Sequence, residues 1–158
     1  MPVVHSLLQV REEVEMVIQP LSFEDLWTKP GGGTPVGFHV THLAGSLDRL
    51  LTYARGESLN DAQRAALDAE DRGGLANDQP ALLLRAACEA IDRALDQLRA
   101  TPADTLDQQR RVGRAGLPST VRGLLFHAAE HAQRHAGQIV TTAKIVRGLR
   151  AEHSAPGT

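Results

Sequence analysis

Apolar residues recur at steps of three and four along four separate stretches of this chain, and glycine or proline punctuates the gaps between them. Such steps return to the same face of a helix, so the pattern specifies four amphipathic helices and no strand with the alternation a sheet requires. The first stretch carries Val4, Leu7, Leu8, Val14, Val17, Ile18 and Leu21, and Pro20 should end or kink it. The run TKPGGGTP then breaks the pattern, because consecutive glycines propagate a helix poorly. In the second helix Thr34 is the expected N-cap and Pro35 the first helical residue. Its stripe is Val36, Val40, Leu43, Leu47, Leu50, Leu51 and Ala54, with Gly56 as the stop. Residues 58–71 suit a short exposed helix, interrupted by Gly73 and Gly74. The third long helix is expected to start near Asp78 and Pro80, to bury Leu83, Leu84, Ala87, Ile91, Ala94, Leu95 and Leu98, and to end before Pro102. A polar connector, TPADTLDQQRRVGRAGLP, leads to the fourth, from Ser119 or Thr120 to about Arg147, with Gly148 as a stop signal.

Four such helices imply an all-α fold, a four-helix bundle. Aromatic residues are only 3% of the chain while Ala, Leu and Arg are abundant, and unbranched side chains lose little rotamer freedom in a helix. A chain of 158 residues fits one domain able to bury a core without disulfides. Residues 1–150 are expected to form that domain and 151–158 a flexible tail. The lone cysteine, Cys88, excludes an internal disulfide and suits a reducing cytoplasm. A formal net charge of −2 without a basic face argues against nucleic acid and anionic membranes as partners. No apolar run is long enough to span a bilayer, and the acidic N-terminal segment lacks a signal-peptide layout. The expected location is therefore cytoplasmic.

Five of the seven histidines fall in two clusters: His39 and His42 on the second helix, and His127, His131 and His135 on the fourth. Residues four apart share a helix face, so His131 and His135 can grip one ion, and a third imidazole from a facing helix would complete the set. Three protein ligands leave one or two positions for water or substrate, the pattern of catalytic rather than structural metal sites. Turning about 100° per residue, His135 falls inside the apolar side of its helix, His131 near the edge and His127 farthest out. On the second helix, the same construction puts His39 nearer the stripe centre than His42, so periodicity alone leaves the third ligand open. A set of hydrogen-bonded core histidines is the competing reading. His127-Ala-Ala-Glu130-His131 also matches the H-x-x-E-H pattern of inverted zinc peptidases. That site needs a further acidic ligand downstream, and the only later side-chain carboxylate is Glu152, at the chain end.

The segments HVTHLAGSLDRLLTYARGESL and HAAEHAQRHAGQI resemble the DinB-like superfamily, which includes the YfiT-like metal-dependent hydrolases. The most specific element is His131, His135, Gly137 and Gln138, in the order H-x-x-x-H-x-G-Q. The histidine that precedes Leu-Ala in the family motif corresponds to His42, so the resemblance implies His42, His131 and His135 as metal ligands. It further implies a bundle with an unusual long-connection topology, a nickel or zinc ion at one end, and a homodimer acting on a small-molecule substrate. Some relatives are thiol-dependent transferases or isomerases, so a low-molecular-weight thiol is an implied cofactor. The expected function is a metal-dependent enzyme of the thiol S-transferase or hydrolase type. The alternative is a metal-binding or stress-related bundle without activity. Metal affinity should fall below about pH 6.5, where protons compete for neutral imidazole.

Glu130 and Asp48 are candidates for hydrogen-bonding a ligand imidazole, as carboxylates commonly do. Arg49 and Arg134 suit an anionic substrate or, more simply, surface salt bridges. Trp27 and Phe38 flank the glycine run and can wall a pocket. Gly137 reads as a close-packing position, Gln138 as an orienting or merely exposed polar residue, and Cys88 as a small buried hydrophobe.

Overall fold

The computed structural model describes residues 2–71 and 79–154. Four long helices build the bundle: α1 (Pro2–Ile18), α3 (Val36–Ala54), α5 (Pro80–Ala100) and α6 (Val121–Ser154). Two shorter ones, α2 (Phe23–Trp27) and α4 (Asp61–Asp71), lie in the connections. Both α1 and α3 pack against α5 and against α6, so α1 faces α3 across one diagonal and α5 faces α6 across the other. The aliphatic stripes meet inside this square, where Leu7, Val14, Val40, Leu43, Leu47, Ile91, Leu98, Leu124 and Ile139 are fully or almost fully buried. Among the described residues, no helix is long and apolar enough to cross a membrane.

Several boundaries differ from the sequence expectation for local reasons. Pro35, not Thr34, is the N-cap of α3; its backbone is extended, and no side chain caps the helix. Gly56 follows the C-cap with φ +81°, the left-handed turn that only glycine adopts freely. Asp78, Gly73 and Gly74 lie outside the described residues, as do residues 155–158 of the expected tail 151–158, whose residues 151–154 belong to α6. Gly148 does not stop α6, which continues to Ser154. Thr120 does start it, its hydroxyl accepting from the Gly123 amide at 3.0 Å.

Two elements were not expected. The polar connector contains an antiparallel hairpin, β1 (Gln109–Val112) with β2 (Leu117–Thr120), turned between Gly113 and Gly116, both at positive φ. Helix α2 is nucleated by a reciprocal capping box: Ser22 Oγ accepts from the Asp25 amide, and Asp25 accepts from the Ser22 amide. Asp25 also accepts from Arg150 at 3.0 Å, tying α2 to the end of α6.

Close packing by glycine occurs at Gly37 rather than Gly137. A Cβ at Gly37 would stand 2.7 Å from two atoms of the Trp27 ring, whereas at Gly137 it would meet nothing within 4 Å among the described residues. Gly37→Ala should therefore destabilise the fold by about 1–3 kcal/mol through overpacking. Gly137→Ala should stabilise α6 by up to about 1 kcal/mol, because alanine is the better helix former. Urea denaturation of the two variants checks the opposite signs.

Candidate metal centre

The central part of α6 is lined by alanines. Ala128, Ala132 and Ala136 are buried against the bundle and bring its backbone close to α3. Longer side chains at 131 and 135 then reach across to α3. His135 Nδ1 lies 3.2 Å from His39 Nδ1, and His131 Nε2 lies 3.0 Å from His42 Nε2. The pairing rises along α3 as it falls along α6, as two antiparallel neighbours require. The ring centroids of His42 and His131 each lie under 5 Å from that of His135, at 4.6 and 4.7 Å.

His42, His131 and His135 each offer one ligand atom, and these atoms all lie within 4.8 Å of one another. The cluster is graded in depth: His135 is buried, while His42 and His131 are half-buried. Phe38 stacks on His42, with centroids 5.6 Å apart and planes 13° from parallel, and forms one wall. His39, which periodicity placed deeper than His42, is indeed the more buried of the two, at 7% exposure. That depth puts it beyond the cluster, against His135, with the Phe38 ring edge-on to it. His127 sits on the outer side of α6, half exposed, with Nδ1 3.3 Å from Glu130.

The carboxylate beside a cluster imidazole is neither Glu130 nor Asp48. Glu130 pairs with Arg134 on the same helix as well as with His127, and Asp48 accepts from Gln63 at 2.7 Å. Instead, Glu70 of α4 places Oε2 2.8 Å from His42 Nδ1. Both Glu70 oxygens also accept from Arg49, at 2.8 and 3.0 Å. Arg49 is thus half of a buried ion pair rather than a surface one, since the side chains are only 10% and 3% exposed. Gly45 makes room for the pair: a Cβ there would stand 2.3 Å from Glu70 Oε1 and 2.7 Å from Arg49 Nη1. The start of α4 is fixed by a reciprocal Asn60–Gln63 cap, and Gln63 and Glu70 lie on its α3-facing side. Gln138 is exposed. Cys88 is half-buried and lies 3.4 Å from Glu15, with its thiol pushed up to about 11 by burial and by that carboxylate, so it holds its proton.

Electrostatically, the cluster favours neutral rings. Burial, then the neighbouring imidazoles and Arg134, push His135 down to about 4. Burial first, and His42 second, also lower His39 and His131. Burial works against the charged form of Glu70, yet the hydrogen bonds from His42 and Arg49 and their charges hold its carboxyl below the ordinary range. The proton competition expected near pH 6.5 therefore sets in lower for His131 and His135. The unfolded chain takes up a proton at His135 below about 6.5, while the folded protein does so only near 4. Stability is fully present above about pH 6.5, declines as pH falls towards 4, and has no further contribution from this group below that. Thermal melts of metal-free protein across this range should show the decline, and His135→Gln should reduce its slope. An unchanged slope would contradict the assignment.

Comparison with known proteins places the chain in a family. The DinB superfamily profile matches residues 6–139. Among solved structures, YfiT from Bacillus subtilis aligns with a TM-score of 0.69 at 18% identity, covering 90% of this chain and 85% of that one. YfiT is described as a probable metal-dependent hydrolase with an unusual four-helix bundle topology. A DinB-like protein from Bacillus cereus ATCC 10987 aligns with a TM-score of 0.66 at 13% identity, covering 99% of this chain and 95% of that one. At these identities the likeness is one of fold. None of the curated proteins matches the sequence significantly. The profile match across most of the chain, with the shared bundle, establishes that this chain belongs to the DinB superfamily.

Proposed function

We propose that this protein holds a divalent transition ion, nickel or zinc, through His42, His131 and His135, and acts as a metal-dependent enzyme of the hydrolase or thiol S-transferase type. The observation that carries this reading is the convergence of three imidazole ligand atoms within 4.8 Å. The donor set fits such an ion. Two nitrogens each about 2.0–2.1 Å from a shared ion, at ordinary coordination angles, stand about 2.9–3.4 Å apart. His42 Nε2 and His131 Nε2 stand 3.0 Å apart. Without an ion the same contact is a neutral hydrogen bond, one ring's N–H donating to the other ring's lone pair. YfiT's description as a probable metal-dependent hydrolase supports the same class.

When bound, the ion would act as a Lewis acid that lowers the pKa of a water or thiol at an open position. The chain's own residues divide the remaining work. His135 closes the inner side, and the half-buried His42 and His131 leave the outer side for a small-molecule substrate, with Phe38 as an apolar wall. Glu70 is not free to take a substrate proton, because His42 and Arg49 engage both its oxygens. A homodimer would cover exposed apolar residues such as Met16 on α1 and Phe126 on α6.

Cobalt substitution tests the reading. One equivalent of Co(II) should bind and give d–d bands of a four- or five-coordinate site. Adding a small thiol should then produce a sulfur-to-cobalt charge-transfer band, because a coordination position is open. Absence of stoichiometric binding would remove the metal reading, and bands insensitive to thiols and other small ligands would remove the catalytic one.

A further inference from the structure

We propose that Glu70 is the positioning residue of the cluster: clamped by Arg49, it fixes His42 as the Nδ1–H tautomer and so turns the Nε2 lone pair towards His131 and the ion. This deepens the proposed function and rests on it for the ion, while the tautomer is a property of the protein alone.

An ionised carboxylate can only accept hydrogen bonds. Arg49 donates to both Glu70 oxygens, and this two-pronged pairing is the geometry of a guanidinium with an ionised carboxylate. At the 2.8 Å contact with Glu70 Oε2, His42 Nδ1 must therefore be the donor. A neutral imidazole that donates from Nδ1 keeps its free lone pair on Nε2, the atom facing His131. Placement along α3 supports the same role. His42, Gly45 and Arg49 are three and four residues apart and share one face, onto which α4 lays Glu70. The absence of a side chain at Gly45 is what lets the ion pair close there. A carboxylate behind a ligand imidazole fixes the ring's orientation and raises its basicity.

The competing role is structural, with Glu70 serving only to pin α4 to α3. Long-range 1H–15N NMR of metal-free wild-type protein separates the two. His42 should show the Nδ1–H pattern, against the Nε2–H form that free histidine prefers. In Glu70→Gln the pattern should become a mixture, and zinc affinity, measured by competition with a chromophoric chelator, should fall about 10–100-fold. A stability change alone would move neither readout. An Nε2–H His42 in wild-type protein overturns the inference, and this measurement needs no variant to fold. Zinc affinity within twofold of wild type in Glu70→Gln also overturns it and leaves the metal reading intact. If wild type binds no zinc, the metal reading fails and the tautomer still decides the role of Glu70.

Discussion

Replacing His42, His131 or His135 with alanine should each weaken zinc or nickel binding by more than about 100-fold, since loss of an outer hydrogen-bond partner alone costs about 10–100-fold. Two remaining imidazoles do not hold an ion against water as three do. The instructive controls are the other two histidines of the clusters. His39 meets the cluster through His135, its Nδ1 3.2 Å from that ring, so His39→Ala should cost no more than an outer partner does, about tenfold. His127 lies on the outer side of α6, paired with Glu130, so His127→Ala should bind nearly as wild type. Isothermal titration across the five variants gives the ranking. Tight binding by His42→Ala combined with none by His39→Ala would reverse the ligand assignment.

The largest expected effect on stability comes from Arg49→Ala. It would leave Glu70 buried beside His42 without its guanidinium partner. Breaking a buried ion pair from one side costs about 3–5 kcal/mol, because the remaining charge stays desolvated. For a domain of this size that corresponds to a fall in Tm of roughly 6–20 °C. Arg99→Ala is the matched control: its partner Asp96 is exposed, and surface pairs contribute about 0–1 kcal/mol. Equal, small shifts in both variants would show that the Glu70–Arg49 pair contributes no more than a surface contact.

The bundle was legible in the sequence because burial in a helix follows its period. The stripes built on Leu7, Leu43, Leu47, Ile91 and Leu98 are in the core. Punctuation was legible where the backbone demanded a particular residue, as at Gly56, and misleading where it did not. An isolated glycine in a helix costs only about 1 kcal/mol, so Gly148 could not stop a helix held along its length by other contacts. The hairpin escaped notice because its strands are four residues each, too short for a period of two to stand out. The Ser22–Asp25 spacing was the available signal for α2.

Within the histidine cluster, periodicity ranked depth correctly and could not rank ligation. His39 is deeper than His42, but convergence depends on which rings of two antiparallel helices meet, and only the family motif carried that information. Glu70 was invisible for a related reason. It sits in QRAALDAED, whose apolar residues are three alanines and one leucine, and nothing local indicates that Arg49, on another helix, will receive it. The glycine at position 45 marked the close approach of Glu70 to α3.

The most direct test is anomalous diffraction from crystals of the zinc-loaded protein, recorded on both sides of the zinc edge. One ion per chain should appear between α3 and α6, bonded at about 2.0–2.1 Å to nitrogens of His42, His131 and His135, with a remaining position open. An ion held by His39 or His127 in place of His42 would contradict the account, as would crystals in which the three rings converge and zinc binds elsewhere.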